Sequence, residues 1–308
     1  MRKALLAISI LVATGTATAE YTAKIPLEQA QGGSLPNGSI TFTNQEPTTP
    51  TAPILDCVNN PEENPTECQE RLTAWEAFAD ARGLSKDWTS LDWLAKDLTT
   101  IPTEPYPLTS VDFIDLSGNQ LTNVDGLSNL TSVNFIYLNN NKLTNVDGLS
   151  NLTSASDLQL SSNQLTNVDW LSNLTSVDDL QLSSNQLTNI NGLSNLTSVD
   201  NLNLDDNNLT NVDGLSNLTS VNLLYLEDNN LTNVDGLSNL TSANLLYLED
   251  NQLTNINGLA NLEIMTNISI DATYAGPKLA ATTRFCSLNS PDKFAVGYSQ
   301  KTQLCESP

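Results

Sequence analysis

The chain has 308 residues, 35 acids against 12 bases, no histidine and a formal net charge of −23. So acidic a surface repels phosphate backbones and anionic headgroups, which argues against nucleic acid as a partner and favours cations or basic proteins. The lack of histidine removes the commonest general base and the commonest metal ligand, so neither a Ser-His-Asp nor a Cys-His catalytic set can form.

In chain order, Arg2 and Lys3 precede an apolar run from Ala4 to Ala13, and Ala17-Thr18-Ala19 follows with small residues at a cleavage site. This pattern predicts an export signal over residues 1–19 and a mature chain from Glu20, secreted or periplasmic and bacterial in style. The run is too short to span a bilayer and no later segment is more apolar, so no membrane insertion is expected. Residues 20–56 are rich in Thr, Pro, Gly and Gln and read as a flexible lead-in, with a short strand at Ser39–Phe42. Residues 57–107 read as a helical N-terminal cap. Pro65 and Thr66 start a helix with Thr66 as its cap, Leu72, Trp75, Phe78 and Ala79 share one face, and Gly83 stops it. Thr89 and Asp92 suggest a second short helix carrying Trp93 and Leu94. Cysteines fall in two close pairs, Cys57 with Cys68 and Cys286 with Cys305. An even count in an exported chain reads as disulfides. Three connectivities are open, and the two local bridges are favoured because the long central segment separates the pairs.

That central segment, 108–272, is repetitive. Asn119, Asn141, Asn163, Asn185, Asn207, Asn229 and Asn251 recur every 22 residues, making seven full copies and one partial copy. In the second copy the frame is Leu130, Val133, Ile136, Leu138, Asn141, Leu143, Val146 and Leu149. Ile136 and Leu138 alternate with Phe135, Tyr137 and Asn139, a strand pattern. Leu143, Val146 and Leu149 bring the chain back in a stretch too short for a full helix, so 3₁₀ or irregular turns are expected. Val-Asp-Gly-Leu is turn chemistry in which Gly is free to take a positive φ. One coil cannot bury its own apolar edges, and stacked coils can. The Asn side chains are expected to bond backbone groups where the chain leaves each strand. Asn-Leu-Thr recurs at Asn129, Asn151, Asn173, Asn195, Asn217 and Asn239, and reads as frame residues. Residues 273–308 are expected to form a C-terminal cap.

The run Val133-Asn-Phe-Ile136-Tyr-Leu138-Asn-Asn-Asn141-Lys-Leu143 resembles the Leu-x-x-Leu-x-Leu-x-x-Asn-x-Leu motif of leucine-rich repeats, in the 22-residue internalin-like form. The resemblance covers Leu108 to Ile270. It implies an α/β, right-handed solenoid with a concave parallel sheet, and binding of host or cell-surface proteins on that concave side. Residues 273–308 are too few for the immunoglobulin-like domain that internalins carry.

The return half, Leu-Thr-Asn-Val-Asp-Gly-Leu-Ser-Asn-Leu-Thr-Ser, recurs unchanged at Leu121, Leu143, Leu209 and Leu231, while the strand half varies. Individuality therefore sits on the strand face. Outward positions by frame are Phe113 and Asp115, Phe135 and Tyr137, Asp157 and Gln159, Asp179 and Gln181, Asn201 and Asn203, Leu223 and Tyr225, and Leu245 and Tyr247. The expected ligand contacts are Phe113, Phe135, Tyr137, Gln159, Gln181, Asn203, Leu223, Tyr225, Leu245 and Tyr247, with an aromatic patch at each end of a polar middle. Asp205-Asp206, Glu227-Asp228 and Glu249-Asp250 would stack as two carboxylate columns. Residues 108–271 hold 19 acids and one base, Lys142, so nothing in the repeats neutralises them. Calcium could bridge such columns, as could a basic partner. Two readings follow. The first is a secreted, non-enzymatic module that binds a basic protein or a glycan with no cofactor. The second is a calcium-responsive structural or adhesive surface protein.

Overall fold

A computed structural model describes residues 6–14, 17–25, 56–60, 62, 64–265, 267–270, 276–277, 286 and 304–305. The chain divides into two units, Met1–Thr51 and Ala52–Pro308. In the first, β1 (Leu6–Thr14) pairs antiparallel with β2 (Ala17–Ile25), and this backbone ladder includes Leu6 to Ala13 of the apolar run read as an export signal. The strand expected at Ser39–Phe42 lies outside the described residues, as do the rest of the lead-in up to residue 55 and most of 273–308.

The second unit is a parallel sheet of nine strands, every strand beside its sequence neighbour. It begins with β3 (Ser90–Asp92) and runs through β4 (Ser110–Asp115), β5 (Ser132–Tyr137), β6 (Ser154–Gln159) and β7 (Ser176–Gln181). It ends with β8 (Ser198–Asn203), β9 (Ser220–Tyr225), β10 (Ser242–Tyr247) and β11 (Asn267–Ser269). Register is pinned by the period, since Ile114 lies beside Ile136, Ile136 beside Leu158 and Leu202 beside Leu224. A slip of one residue would turn every inward Leu outward, so only this pairing buries the frame. The chain returns through short 3₁₀ turns such as Asp125–Leu127, Asp147–Leu149 and Asp213–Leu215, as the coil length requires. Leu138, Leu143, Val146 and Leu149, and their equivalents along the stack, form one continuous core.

The frame Asn residues tie coil to coil. Asn163 Nδ2 donates to Leu138 O of the preceding coil and Leu160 O of its own, both at 3.0 Å, while its Oδ1 accepts from Leu143 N at 3.0 Å. The amide so satisfies buried backbone groups that the sheet leaves open. A second column lies on the turns, where Asn151, Asn195 and Asn217 donate to Ser128 O, Ser172 O and Ser194 O of the coil before. These are the Asn residues of the Asn-Leu-Thr triplets.

Three local expectations need correction. The turn glycines do not use a positive φ. They are needed because the coils touch there: a Cβ on Gly214 would sit 2.0 Å from Ile190 O, and one on Gly148 1.9 Å from Val124 O. Trp170 occupies this glycine position in one coil, and the turn there lengthens to Asp169–Asn173. The second correction concerns helix α1 (Pro65–Asp80), which is capped by Asn64 and not by Thr66. Asn64 Nδ2 donates to Glu67 Oε2 at 3.0 Å and its Oδ1 accepts from Glu67 N, a reciprocal cap that places Pro65 in the first turn where its missing N–H is harmless. On the helix face, Cys68, Arg71, Trp75 and Ala79 are buried, while Leu72 and Phe78 are partly covered. The third correction is β3 itself, which stands where a second helix was expected. Leu91 and Trp93 point inward and are fully buried while Ser90 and Asp92 point out, a period of two that pairs with β4.

Trp75, Trp93 and Tyr106 pack at the N-terminal end of the core, with Trp75 4.8 Å from Tyr106 edge to face. The Trp75 indole donates to Glu104 O and the Trp93 indole to Ser85 O, both at 2.9 Å. Cys57 is bonded to Cys68 and Cys286 to Cys305, the two local bridges.

Candidate functional site

The outward side of the sheet carries every candidate contact residue on successive rungs, about 4.8 Å apart. At its N-terminal end Phe113 and Tyr137 meet edge to face at 5.5 Å. Phe135, directly beside Phe113 in register, is 43% exposed. At the C-terminal end Tyr225 and Tyr247 lie side by side in register, their rings parallel to within 1° and 4.9 Å apart. Leu223 and Leu245 form the adjoining pair, and all four are partly covered. Each ring of the tyrosine stack thus gives one face to the other.

Between the patches the polar residues spend their donors on one another. Gln159 Nε2 donates to Asp157 Oδ1 and Gln181 Nε2 to Asp179 Oδ1, both at 2.6 Å. Tyr137 Oη donates to Asp157 Oδ2 at 3.3 Å and Asn201 Nδ2 to Asp179 Oδ2 at 3.2 Å. Asn203 Oδ1 accepts from Asp205 N at 3.0 Å. Asp115, also outward by frame, is nearly buried and takes both the N–H and the hydroxyl of Ser117. Gln159, Gln181 and Asn203 are therefore partly engaged within the wall, as is Tyr137 of the N-terminal patch.

A family model described as Leucine Rich repeats (2 copies) matches residues 109–151. Internalin C2 from Listeria monocytogenes is 28% identical, with 64% of this chain and 92% of that one covered and a TM-score of 0.50. The chain has the leucine-rich-repeat fold and is similar to internalins. Lesser likeness extends to a leucine-rich-repeat protein from Leptospira interrogans, 22% identical over 62% of this chain and 57% of that one, with a TM-score of 0.49. No curated protein matches the sequence.

The acid columns of this leucine-rich-repeat protein divide by conformation. Asp206, Asp228 and Asp250 are exposed and have φ of 51°, 50° and 52°. The same frame position holds Gly118, Asn140, Ser162 and Ser184, all with positive φ. Only Gly adopts this left-handed conformation freely, and Asn and Asp tolerate it best among the rest, so backbone geometry alone accounts for Asp there. The left-handed turn is a constraint on this column besides any ligand role, and the comparison of Gly118, Asn140 and Asp206 at one frame position reveals it.

The inner column behaves differently. Asp205 and Glu227 are partly buried on the wall, and desolvation pushes both carboxyls above the ordinary range, with neighbouring acids adding to it. Asp157 is raised by desolvation in the same way. Asp205 Oδ1, Glu227 Oε2 and Asn201 Oδ1 are each closed to solvent without a donor. Glu249, the third member, accepts from the Ser269 hydroxyl. Among the described residues no three Asp, Glu or Cys side chains gather closely enough to hold a metal ion. No described helix is long and apolar enough to cross a membrane.

Proposed function

We propose that this leucine-rich-repeat protein is an exported, non-catalytic binding module that takes a protein ligand on the outward wall of its sheet. The fold supports binding as such, because a rigid stack presents side chains at fixed spacing on a broad surface. One observation carries the assignment to the wall: Tyr225 and Tyr247, with Leu223 and Leu245, make an apolar cluster at the C-terminal end of a variable face whose middle is polar. Preorganised Tyr side chains next to partly covered aliphatics are the anchors that interfaces use. Export is supported by the apolar run after Arg2 and Lys3 and by the two disulfides. The wall acids Asp115, Asp157 and Asp179 are tied to Ser, Gln and Asn side chains on an open sheet face, which supports a role without catalysis.

A displayed library of small protein domains, selected on the folded chain, tests this. Selected binders should lose most of their affinity for Tyr225→Ala/Tyr247→Ala, whose melting temperature should stay within a few degrees of the parent. Binders that ignore this double change would place the site elsewhere. The calcium-bridged adhesive reading is the competitor. It would require Asp205, Asp206, Glu227, Asp228, Glu249 and Asp250 to converge on an ion, whereas the outer three follow the turn geometry. A rise in melting temperature at millimolar calcium would favour that competitor, because a ligand of the native state must stabilise it.

A further inference from the structure

We propose that Trp170 sets a seam in the repeat stack between β7 and β8, where the sheet opens locally and lets the two halves of the wall move separately. The first support is a break in a column of Thr residues at the strand starts. Thr131, Thr153, Thr175, Thr219 and Thr241 each donate both N–H and hydroxyl to the Thr carbonyl one coil earlier. Among the described residues Thr197 makes neither bond to Thr175 O. The strands show the same break. β7 and β8 pair only at Asp179, Leu180 and Gln181 with Asn201, Leu202 and Asn203. The junctions on either side also pair at the strand start, Ser154 with Ser176 and Ser198 with Ser220. Local sequence does not account for the difference, since Asn-Leu-Thr-Ser stands in each of these coils.

What is peculiar to this place is the turn that feeds β7. Trp170 stands there where the other coils carry Gly. A Cβ on Gly148 or Gly192 would lie 1.9 or 1.8 Å from a carbonyl of the coil before, so a side chain at 170 requires a displaced turn. That turn spans Asp169–Asn173 and ends two residues before Thr175, whose carbonyl lacks the Thr197 donors. The Trp170 indole N–H is closed to solvent without an acceptor, so no hydrogen bond of its own offsets the disturbance. In a stack held by contacts between neighbours, a junction short of bonds opens before the others. The strand ends stay paired across it, and Asn207 Nδ2 still donates to Leu182 O at 3.1 Å, so the opening is hinged on that side. Phe113, Phe135 and Tyr137 lie before the seam and Tyr225 and Tyr247 after it, so opening changes the spacing of the two patches.

Amide hydrogen exchange on the full folded chain, read residue by residue, tests the proposal. The repeated Leu-Thr-Ser context makes the Thr amides chemically equivalent when unprotected. Thr197 should exchange at least about tenfold faster than Thr153, Thr175, Thr219 and Thr241. At low urea the amides of β9 and β10 should lose protection as one group and those of β5 and β6 as another. Trp170→Gly, which restores the turn of the other coils, should slow Thr197 to the rate of Thr219 and merge the two groups. Protection of Thr197 equal to that of Thr219 in the parent chain would overturn the seam, and a single group in urea would overturn the separate halves. A Thr197 that stays fast in Trp170→Gly would overturn the part given to Trp170.

Discussion

Each frame Asn holds two coils together through a single side chain. Asn163 makes three buried hydrogen bonds with backbone groups of its own coil and the one before. Asn163→Ala would leave Leu143 N–H without its partner, while Leu138 O and Leu160 O would keep the amides of Asn141 and Asn185. An unpaired buried group costs about 1–3 kcal/mol, so a loss in that range is expected in chemical denaturation, and a loss well below about 1 kcal/mol would mean that water replaces the amide. The left-handed column gives a prediction of opposite sign. Ser162 is exposed and held at a φ of 57°, a region that penalises any residue with a Cβ by about 1–2 kcal/mol. Ser162→Gly should therefore raise stability by roughly 0.5–1 kcal/mol, the gain being reduced by the greater chain entropy of glycine. These two columns also show what the sequence can and cannot display. The Asn column was legible because one residue type recurs at every rung. The left-handed column was not, because Gly118, Asn140, Ser162 and Asp206 meet one backbone requirement with four different side chains.

At the scale of the element, the repeat turns are governed by contact between neighbouring coils. Gly214→Ala would drive a Cβ to 2.0 Å from Ile190 O, which is backbone and cannot rotate away. Overpacking of this kind costs about 1–3 kcal/mol, and the effect should appear as a lower denaturation midpoint. Trp170 marks the exception, and the five-residue turn around it shows that a side chain is admitted there only when the turn is rebuilt. The N-terminal end depends on α1 and β3 together. Trp75 is fully buried against Trp93 and Tyr106, so Trp75→Ala should cost about 3–5 kcal/mol and uncover the first coil. Light scattering on warming would register the uncovered edge as association. The sequence showed α1 through its apolar face. It did not show β3, because three residues are too few for alternation to outweigh the cap-like Thr89 and Asp92 beside them. Pairing with β4, a contact across some twenty residues of chain, decides that segment as a strand.

For the whole molecule, self-repulsion and partial burial of acids act in the same direction. The chain carries −23 charges, and Asp157, Asp205 and Glu227 have carboxyls raised by desolvation on the wall. A carboxyl whose folded pKa lies above its unfolded value binds more protons in the native state than in the unfolded one. Stability therefore rises as pH falls from neutral through the raised native pKa, and the gain levels off once pH drops below the unfolded carboxylate range near 4. Melting temperature should climb on acidification from pH 7.5 towards 5, and Glu227→Gln combined with Asp205→Asn should flatten the slope. Added sodium chloride should also raise the neutral-pH melting temperature by screening the exposed acids, while affecting the partly buried ones less. A chain whose melting temperature fell steadily from pH 7.5 to 5 would show that its wall carboxylates are stabilised as anions, the reverse of what their desolvation requires.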